Sequence, residues 1–379
     1  MPLPPDDPIH RDLQRDAYCL LGLPVDNLTL AATKALVRER AKQGGTTVLA
    51  TINVNWLVQS FKDPHFRAAI LNSDIVTLDG RPLLWLTRLL GCPMRETVPG
   101  STLIQELQEE EHEQPLSLFL FGGEEGAAEQ AMQQVNQHQG GLKAVGALNP
   151  GFGTVEEMSS EEIIQAINRA NPDILLVALG AKKGTLWIER NRHRLNARVI
   201  SHLGATINFL AGTVQRAPGF IQEIGMEWLW RILQEPKLFR RYASDGLALV
   251  QLLMSRFPLW LQFLAWQKQL SHEKCTSIVG QEETPDTLTL SFGRNIQLTK
   301  DASILDTVRS TVALKKDIIL DFRDTHYADN AFMGLLTLVI KNQKQSGKAL
   351  DCINIRGRLK KLISLNAIQT DIRAAKNIQ

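Results

Sequence analysis

Six short apolar runs, separated by amphipathic stretches, constrain this chain most. They are TTVLATI (46–52), DIVTL (74–78), LSLFLFGG (116–123), LKAVGAL (142–148), DILLVALG (173–180) and ARVISHLG (197–204). Most lack apolar–polar alternation, which is the pattern of strands buried on both faces. Between them, GEEGAAEQAMQQVNQH follows a strand and a Gly-Gly turn. SSEEIIQAINRAN opens on a serine cap with acids in its first turn. Both carry the marks of helices. This alternation predicts an α/β class, with a Rossmann-like open sheet and helices on both faces.

The pattern stops near residue 211. Residues 212–270 contain no strand candidate and are rich in tryptophan and arginine, so they read as a helical basic and aromatic appendage. HEKCTSIVGQEETPD, within 271–286, is polar and proline-containing and reads as a linker. From 287 to 379 a smaller α/β pattern restarts with TLTLSF, DIILDFRD, AFMGLLTLVIKNQKQSG, ALDCINI and RGRLKKLISLNAI. Residues 1–16 are polar and proline-rich and read as a flexible lead without a signal-peptide pattern. That leaves 17–211 as the α/β core, and 379 residues accommodate two domains.

A net charge of +2 argues against a nucleic-acid partner. Cys19, Cys92, Cys275 and Cys352 are far apart and lack CxxC or zinc spacing, as expected for reduced thiols of a cytoplasmic protein.

In open α/β sheets, ligands bind at the carboxyl ends of the strands. Four such ends carry polar residues or glycine: Thr51 and Asn53, Asp79-Gly80, Gly122-Gly123, and Gly180 with Lys182 and Lys183. Each is also compatible with an ordinary strand-to-helix turn. Asp79 follows an apolar run and precedes glycine, so its carboxylate should emerge at the sheet rim. It can serve there as a general base or as a helix N-cap. Arg216, Arg231, Arg240 and Arg241 can converge where two short helices meet the core, and planar guanidinium groups suit bidentate contact with phosphate. Surface salt bridges with Glu223, Glu227 and Glu235 are the alternative. Residues 246–267 form a nearly continuous apolar run broken by Arg256 and Pro258. It reads as an interfacial helix lying on lipid, a buried or oligomer-forming helix, or a membrane span. No DxD motif, no cluster with metal spacing and no GxSxG motif is present, so neither a metal nor a cofactor is expected.

In this order, these pieces resemble the WecG/TagA/CpsF glycosyltransferases. The likeness runs from about residue 20 to 242. It is carried by GLPVDNLT, by Thr51 with Asn53, and by Asp79, Gly80 and Pro82. It continues through Arg95, Glu96 and Gly100, the Gly122-Gly123 strand end and NPDILLVALG. It closes with AGTVQRAP, EWLWRI, EP and RRY. The resemblance implies an inverting, metal-independent transfer of a sugar from a UDP-sugar to a polyprenyl-diphosphate-linked saccharide at the inner face of the cell membrane. It makes Asp79 the general base, with Thr51 and Asn53 lining the same pocket. Arg216, Arg231, Arg240 and Arg241 would then contact the diphosphates. Gly122, Gly123, Gly180 and Lys183 would lie on the donor side, and the appendage would face the membrane.

Two stretches depart from the family pattern. Gly184-Thr185 replaces a glutamine–glutamate pair, and Ala205 and Asn208 replace a glycine and an aspartate. A catalytically weak nucleotide-sugar or lipid-carrier binding protein is the second reading. The absence of a glycine fingerprint argues against a dinucleotide oxidoreductase. The last ninety or so residues resemble a STAS domain, whose D-S-S-G-L-G switch becomes Asp329-Asn330-Ala331-Phe332-Met333-Gly334. Without the serine that accepts phosphate, the resemblance implies a protein-docking module that lacks the switch.

Overall fold

The structure, a computed structural model, describes residues 8–138, 140–215, 217–219, 221, 225–270, 275 and 278–376. They fall into two compact units. The first comprises Leu28–Leu86 and Met94–Leu249; the second comprises the described residues up to Asn27, Thr87–Pro93, and those from Val250 onward.

The chain opens on a helix, Pro8–Leu13, and a hairpin of β1 (Ala17–Leu20) and β2 (Leu23–Asp26), all in the second unit. Leu21 and Gly22 form the turn, with φ of 49° and 86°. Two successive positive φ angles match the twist of a tight hairpin.

The first unit holds β3 (Thr47–Ile52), β4 (Ile75–Leu78), β5 (Leu116–Gly122), β6 (Leu142–Leu148), β7 (Ile174–Ala178) and β8 (Val199–His202). They form one sheet in the order β4-β3-β8-β7-β5-β6. Every neighbouring pair is parallel, so all six carboxyl ends share one edge. Alternate residues feed two apolar layers. Leu49, Leu118, Leu120 and Leu176 enter one; Val48, Phe119, Phe121 and Val177 enter the other, around the buried Trp187. Strand alternation puts these layers on opposite faces, which is why the runs are apolar throughout. The chain leaves β3 towards β4, yet β3 also pairs with β8. The carboxyl ends of β3, β4 and β8 therefore border a topological switch point.

The second unit contains β9 (Ile278–Glu283), β10 (Thr287–Phe292), β11 (Asn295–Ile296), β12 (Asp317–Asp321), β13 (Tyr327–Ala328) and β14 (Leu350–Ile353). Four of these build a sheet in the order β14-β12-β10-β9, with β9 the antiparallel edge. The helix Asn330–Gln345 is buried at every position from Asn330 to Gln343. Gly334 explains how β1 comes so close. A Cβ there would lie 2.3 Å from the carbonyl oxygen of Ala17.

Three sequence expectations differ from this fold. Part of the expected lead, 1–16, is a helix whose Asp12 is buried. Its carboxylate meets Lys341 at 2.7 Å and Arg15 at 3.2 Å, and Arg15 also reaches Asp26 at 2.8 Å. Mutual pairing lets charged residues enter a core, so their polarity was a poor guide. Part of the expected linker, 271–286, is β9, whose residues are largely exposed because it is an edge strand. The apolar run 246–267, read as a helix of its own and interrupted by Arg256 and Pro258, is part of one longer helix from Leu238 to Leu270. Within it, Trp260 and Trp266 pack against the second unit's core rather than standing free.

Candidate active site

Three of the expected residues, Thr51, Asn53 and Asp79, lie at the carboxyl ends of the neighbouring strands β3 and β4. Asp79 directly follows β4 and is half-buried. Its backbone N–H donates to the carbonyl of Ile52 at the end of β3, at 2.7 Å. Gly80 turns the chain at a φ of 96°, which strongly favours glycine, and a helix starts at Arg81. Thr51 pairs in register with Thr77 across β3 and β4 and is buried, so it forms the floor of the rim rather than its surface. Asn53 caps the helix Val54–Lys62, its side-chain oxygen accepting from the N–H of Trp56 at 3.3 Å.

Three contacts tie the appendage to the helices that follow β3, β4 and β8. Arg231, in the helix Glu227–Gln234, sits over the ring of Phe209, 5.7 Å from its centroid. Phe209 belongs to the short helix Thr206–Leu210 that follows β8. Gly225 lies against the helix after β4; a Cβ there would come within 2.8 Å of Arg81 Cβ and 3.3 Å of the Trp85 ring. Asn55, two residues past Asn53, donates to the buried carboxylate of Asp245 at 2.9 Å.

Arg231 also pairs with Glu235 at 3.2 Å, while its Nε is buried without a hydrogen-bond partner. A guanidinium held over an aromatic ring suits an anion through its terminal N–H donors. Arg240 and Arg241 are exposed on the first turns of the helix Leu238–Leu270, with Arg241 over the ring of Tyr242 at 5.2 Å. Tyr242 meets Trp228, ring centroids 6.4 Å apart, so the two appendage helices touch. Arg216 lies outside the described residues.

The glycines expected on the donor side have structural tasks. At Gly122, with φ of 95°, a Cβ would lie 2.7 Å from the carbonyl oxygen of Ala178. The N–H of Gly123 donates to that same carbonyl at 2.9 Å, so it is engaged by β7. Gly180 precedes the helix Ala181–Asn191 at a φ of 81°, and its carbonyl accepts from the N–H of Gly184 at 2.8 Å. Lys183 donates to the carbonyl of Gly153 at 2.8 Å and so ties down the loop after β6. Lys182 pairs with Asp63 at 2.7 Å; that hydrogen bond holds the Asp63 carboxyl below the usual carboxylate range.

The departure at Gly184 has a visible consequence. A Cβ there would lie 2.1 Å from the imidazole of His202, which fills the space a longer side chain would need. His202 ends β8, stacks near Trp56 and has a buried Nε2 without a partner. Burial holds its imidazole neutral, with a pKa down at about 4.

The sequence reading missed Phe209, Asn55 and Asp245. Asp245 left one signal, an acid at the head of the long apolar run. Phe209 and Asn55 left none, because their value comes from contacts far along the chain.

A switch point in a parallel α/β sheet is where ligands of such folds bind, and here a basic helical segment is tied to the elements beside it. Residues 18–260 match the Glycosyl transferase WecG/TagA/CpsF family. The chain belongs to that family and is a glycosyltransferase. Among its relatives is the N-acetylglucosaminyldiphosphoundecaprenol N-acetyl-beta-D-mannosaminyltransferase of Bacillus spizizenii, 24% identical over 52% of this chain and 74% of the relative. The enzyme of the same name from Staphylococcus aureus is 22% identical over 59% of this chain and 87% of its own length. A solved structure described as a crystal structure of SsGBP and GDP complex is 12% identical over 69% of this chain and 90% of its own. Its TM-score is 0.21.

Proposed function

We propose that this chain moves an N-acetylhexosaminyl group from a UDP-sugar onto a polyprenyl-diphosphate-linked saccharide, in the assembly of an exopolysaccharide, capsule or similar surface glycan. The observation that carries the reading is the seating of Arg231 over Phe209, in the helix that follows β8, on the same sheet edge as Asp79 at the end of β4. The names of the relatives, which specify an undecaprenyl-diphosphate-linked acceptor, support the acceptor class.

In this mechanism Asp79 accepts the proton of the acceptor hydroxyl as its oxygen attacks the anomeric carbon. The bond from that carbon to the phosphate oxygen breaks, and configuration inverts. UDP leaves with the bonding electrons, and Arg231, Arg240, Arg241 and Arg216 take up its negative charge. Stabilising developing charge with fixed donors is commonly the largest contribution to such catalysis, and general-base help adds roughly a hundred- to ten-thousandfold. Thr51 and Asn53 shape the floor and the first helix of the pocket.

The acceptor's lipid tail stays in the bilayer, so the site works against the inner face of the membrane. The helix Leu238–Leu270 exposes Leu247, Val250, Met254, Phe257, Leu261 and Leu264 at alternating three- and four-residue spacing. By length and composition it could cross a membrane. Beside exposed Arg240 and Arg241, a one-sided stripe favours lying in the interface. The C-terminal unit is STAS-like in this proposal. With its central helix wholly buried, any partner would dock on another face.

Filling of the Gly184 position by His202 favours a second reading, a weak transferase that chiefly binds its carrier. The test is a panel of UDP-sugars with a short-chain polyprenyl-diphosphate-linked monosaccharide, followed by mass. A disaccharide product establishes the transferase. Donor or carrier binding without product establishes the second reading.

A further inference from the structure

Phe152 is wholly solvent-exposed, at 107% of its reference area, on the loop Asn149–Gly153 that follows the carboxyl end of β6. Leaving a phenyl ring in water forfeits the gain of burying it, and nothing else in that loop covers it. Yet the loop's stem is fixed. The Asn149 side chain donates to the carbonyl of Gly123 at 3.3 Å and accepts from the N–H of Gly151 at 2.9 Å. Lys183 holds the carbonyl of Gly153 at 2.8 Å, and Glu157 accepts from the N–H of Thr154 at 2.7 Å. Gly151, next to Phe152, turns the chain at a positive φ of 74°. The loop thus presents a bare aromatic face on a rigid mount.

The mount joins the rim already described. Gly123, which anchors Asn149, packs against Ile207. Ile207 and Phe209 lie on one short helix, and Phe209 carries Arg231. From β6 to β8 the sheet crosses three strand intervals, about 14 Å at normal spacing, the order of length of an extended nucleoside diphosphate. We infer that Phe152 is the stacking platform for the donor's nucleobase, with the diphosphate running along the rim towards Arg231. This rests on the proposed nucleotide-sugar donor. It also assigns Lys183 a task, which is to position the base-binding loop rather than to touch phosphate. Stacking uses the π-face common to all bases, so Phe152 contributes affinity and other groups choose uracil.

The experiment is calorimetric titration of the full-length protein with UDP, CDP, GDP and inorganic pyrophosphate, comparing wild type, Phe152→Ala and Phe152→Trp. Phe152→Ala should weaken all three nucleotides by roughly ten- to a hundredfold and leave pyrophosphate unchanged. Phe152→Trp should restore binding, and UDP should quench its added fluorescence. Equal UDP affinity in Phe152→Ala and wild type overturns the inference and leaves the proposed function standing. So does a parallel loss of pyrophosphate binding, which would mark a structural effect of the loop. Wild-type protein that binds pyrophosphate but no nucleoside diphosphate overturns both the inference and the donor proposal.

Discussion

Asn55 donates its side-chain N–H to the carboxylate of Asp245 at 2.9 Å, across 190 residues of sequence. The pair ties the helix after β3 to the appendage, and Asp245 is buried. Asn55→Leu should leave a buried carboxylate short of a donor, a cost of about 1–3 kcal/mol. The expected result is faster amide exchange in residues 227–245 with the protection of β3 and β8 retained. Equal protection of 227–245 in both proteins would show that the bond does not hold the appendage.

Asp79→Asn keeps the shape of the side chain and removes its basicity. UDP-sugar affinity should stay within about threefold while turnover falls at least about a hundredfold, since only the proton transfer is lost. The check is steady-state kinetics alongside donor titration. Turnover within a few-fold of wild type would take Asp79 out of the chemistry and leave it a turn residue ahead of Gly80.

Arg231→Met should lower turnover by about a hundred- to a thousandfold, the scale seen when one preorganised donor is removed from a developing anion. Arg231→Lys keeps the charge but gives up the guanidinium's fork of donors over the Phe209 ring, so its turnover should fall between the two. If positive charge on protein side chains serves the leaving group, added chelator should leave wild-type turnover intact. Turnover abolished by chelator and restored by a divalent cation would count against that assignment.

The strands were legible because burial on both faces writes an unbroken apolar run, and all six expected runs in the first unit became strands. The rim position of Asp79 followed from such a run ending in Asp-Gly. The glycines carry a constraint that the sequence hides. At Gly122, expected on the donor side, and at Gly184, a departure from the family pattern, the carbonyl of Ala178 and the ring of His202 respectively lie too close for a side chain. The N-terminal segment was illegible for another reason. Asp12 and Arg15 read as part of a flexible lead, yet with Asp26 and Lys341 they neutralise one another inside a core. A single chain records which residues are charged, but not which distant partner takes each charge out of water.

His202 should leave a pH signature. Its buried imidazole has a pKa of about 4 against an ordinary 6.5, so between those values the unfolded chain binds a proton that the native protein does not. Stability is therefore fully present above about pH 6.5 and is lost as pH falls towards 4. Between pH 7.5 and pH 5 this one group should remove about 2 kcal/mol. His202→Gln cannot titrate, so whatever its stability at pH 7.5, its loss between those two values should be smaller by that amount. Urea unfolding at both pH values measures this. Parallel losses in the two proteins would mean that His202 does not remain neutral in the fold.

Lys341 tests whether the N-terminal segment is integral to the second unit. Its side chain is 2% exposed and meets Asp12 at 2.7 Å. Asp12 also receives Arg15, which reaches on to Asp26 at the foot of β2. Lys341→Met removes one cation from this buried set and leaves excess negative charge. Breaking a buried pair on one side costs about 3–5 kcal/mol. Following the fluorescence of Trp260 and Trp266, which pack against this unit's core, the urea midpoint should drop accordingly. Adding Asp12→Asn to Lys341→Met removes the surplus charge and should recover part of the loss. The same logic applies to Gly334→Val, which would push the backbone of Ala17 away. It should make residues 8–27 cleavable by protease while β10, β12 and β14 stay protected. If Lys341→Met left the midpoint unchanged and Gly334→Val left residues 8–27 protected, the segment would be an ornament on the unit rather than a part of its core.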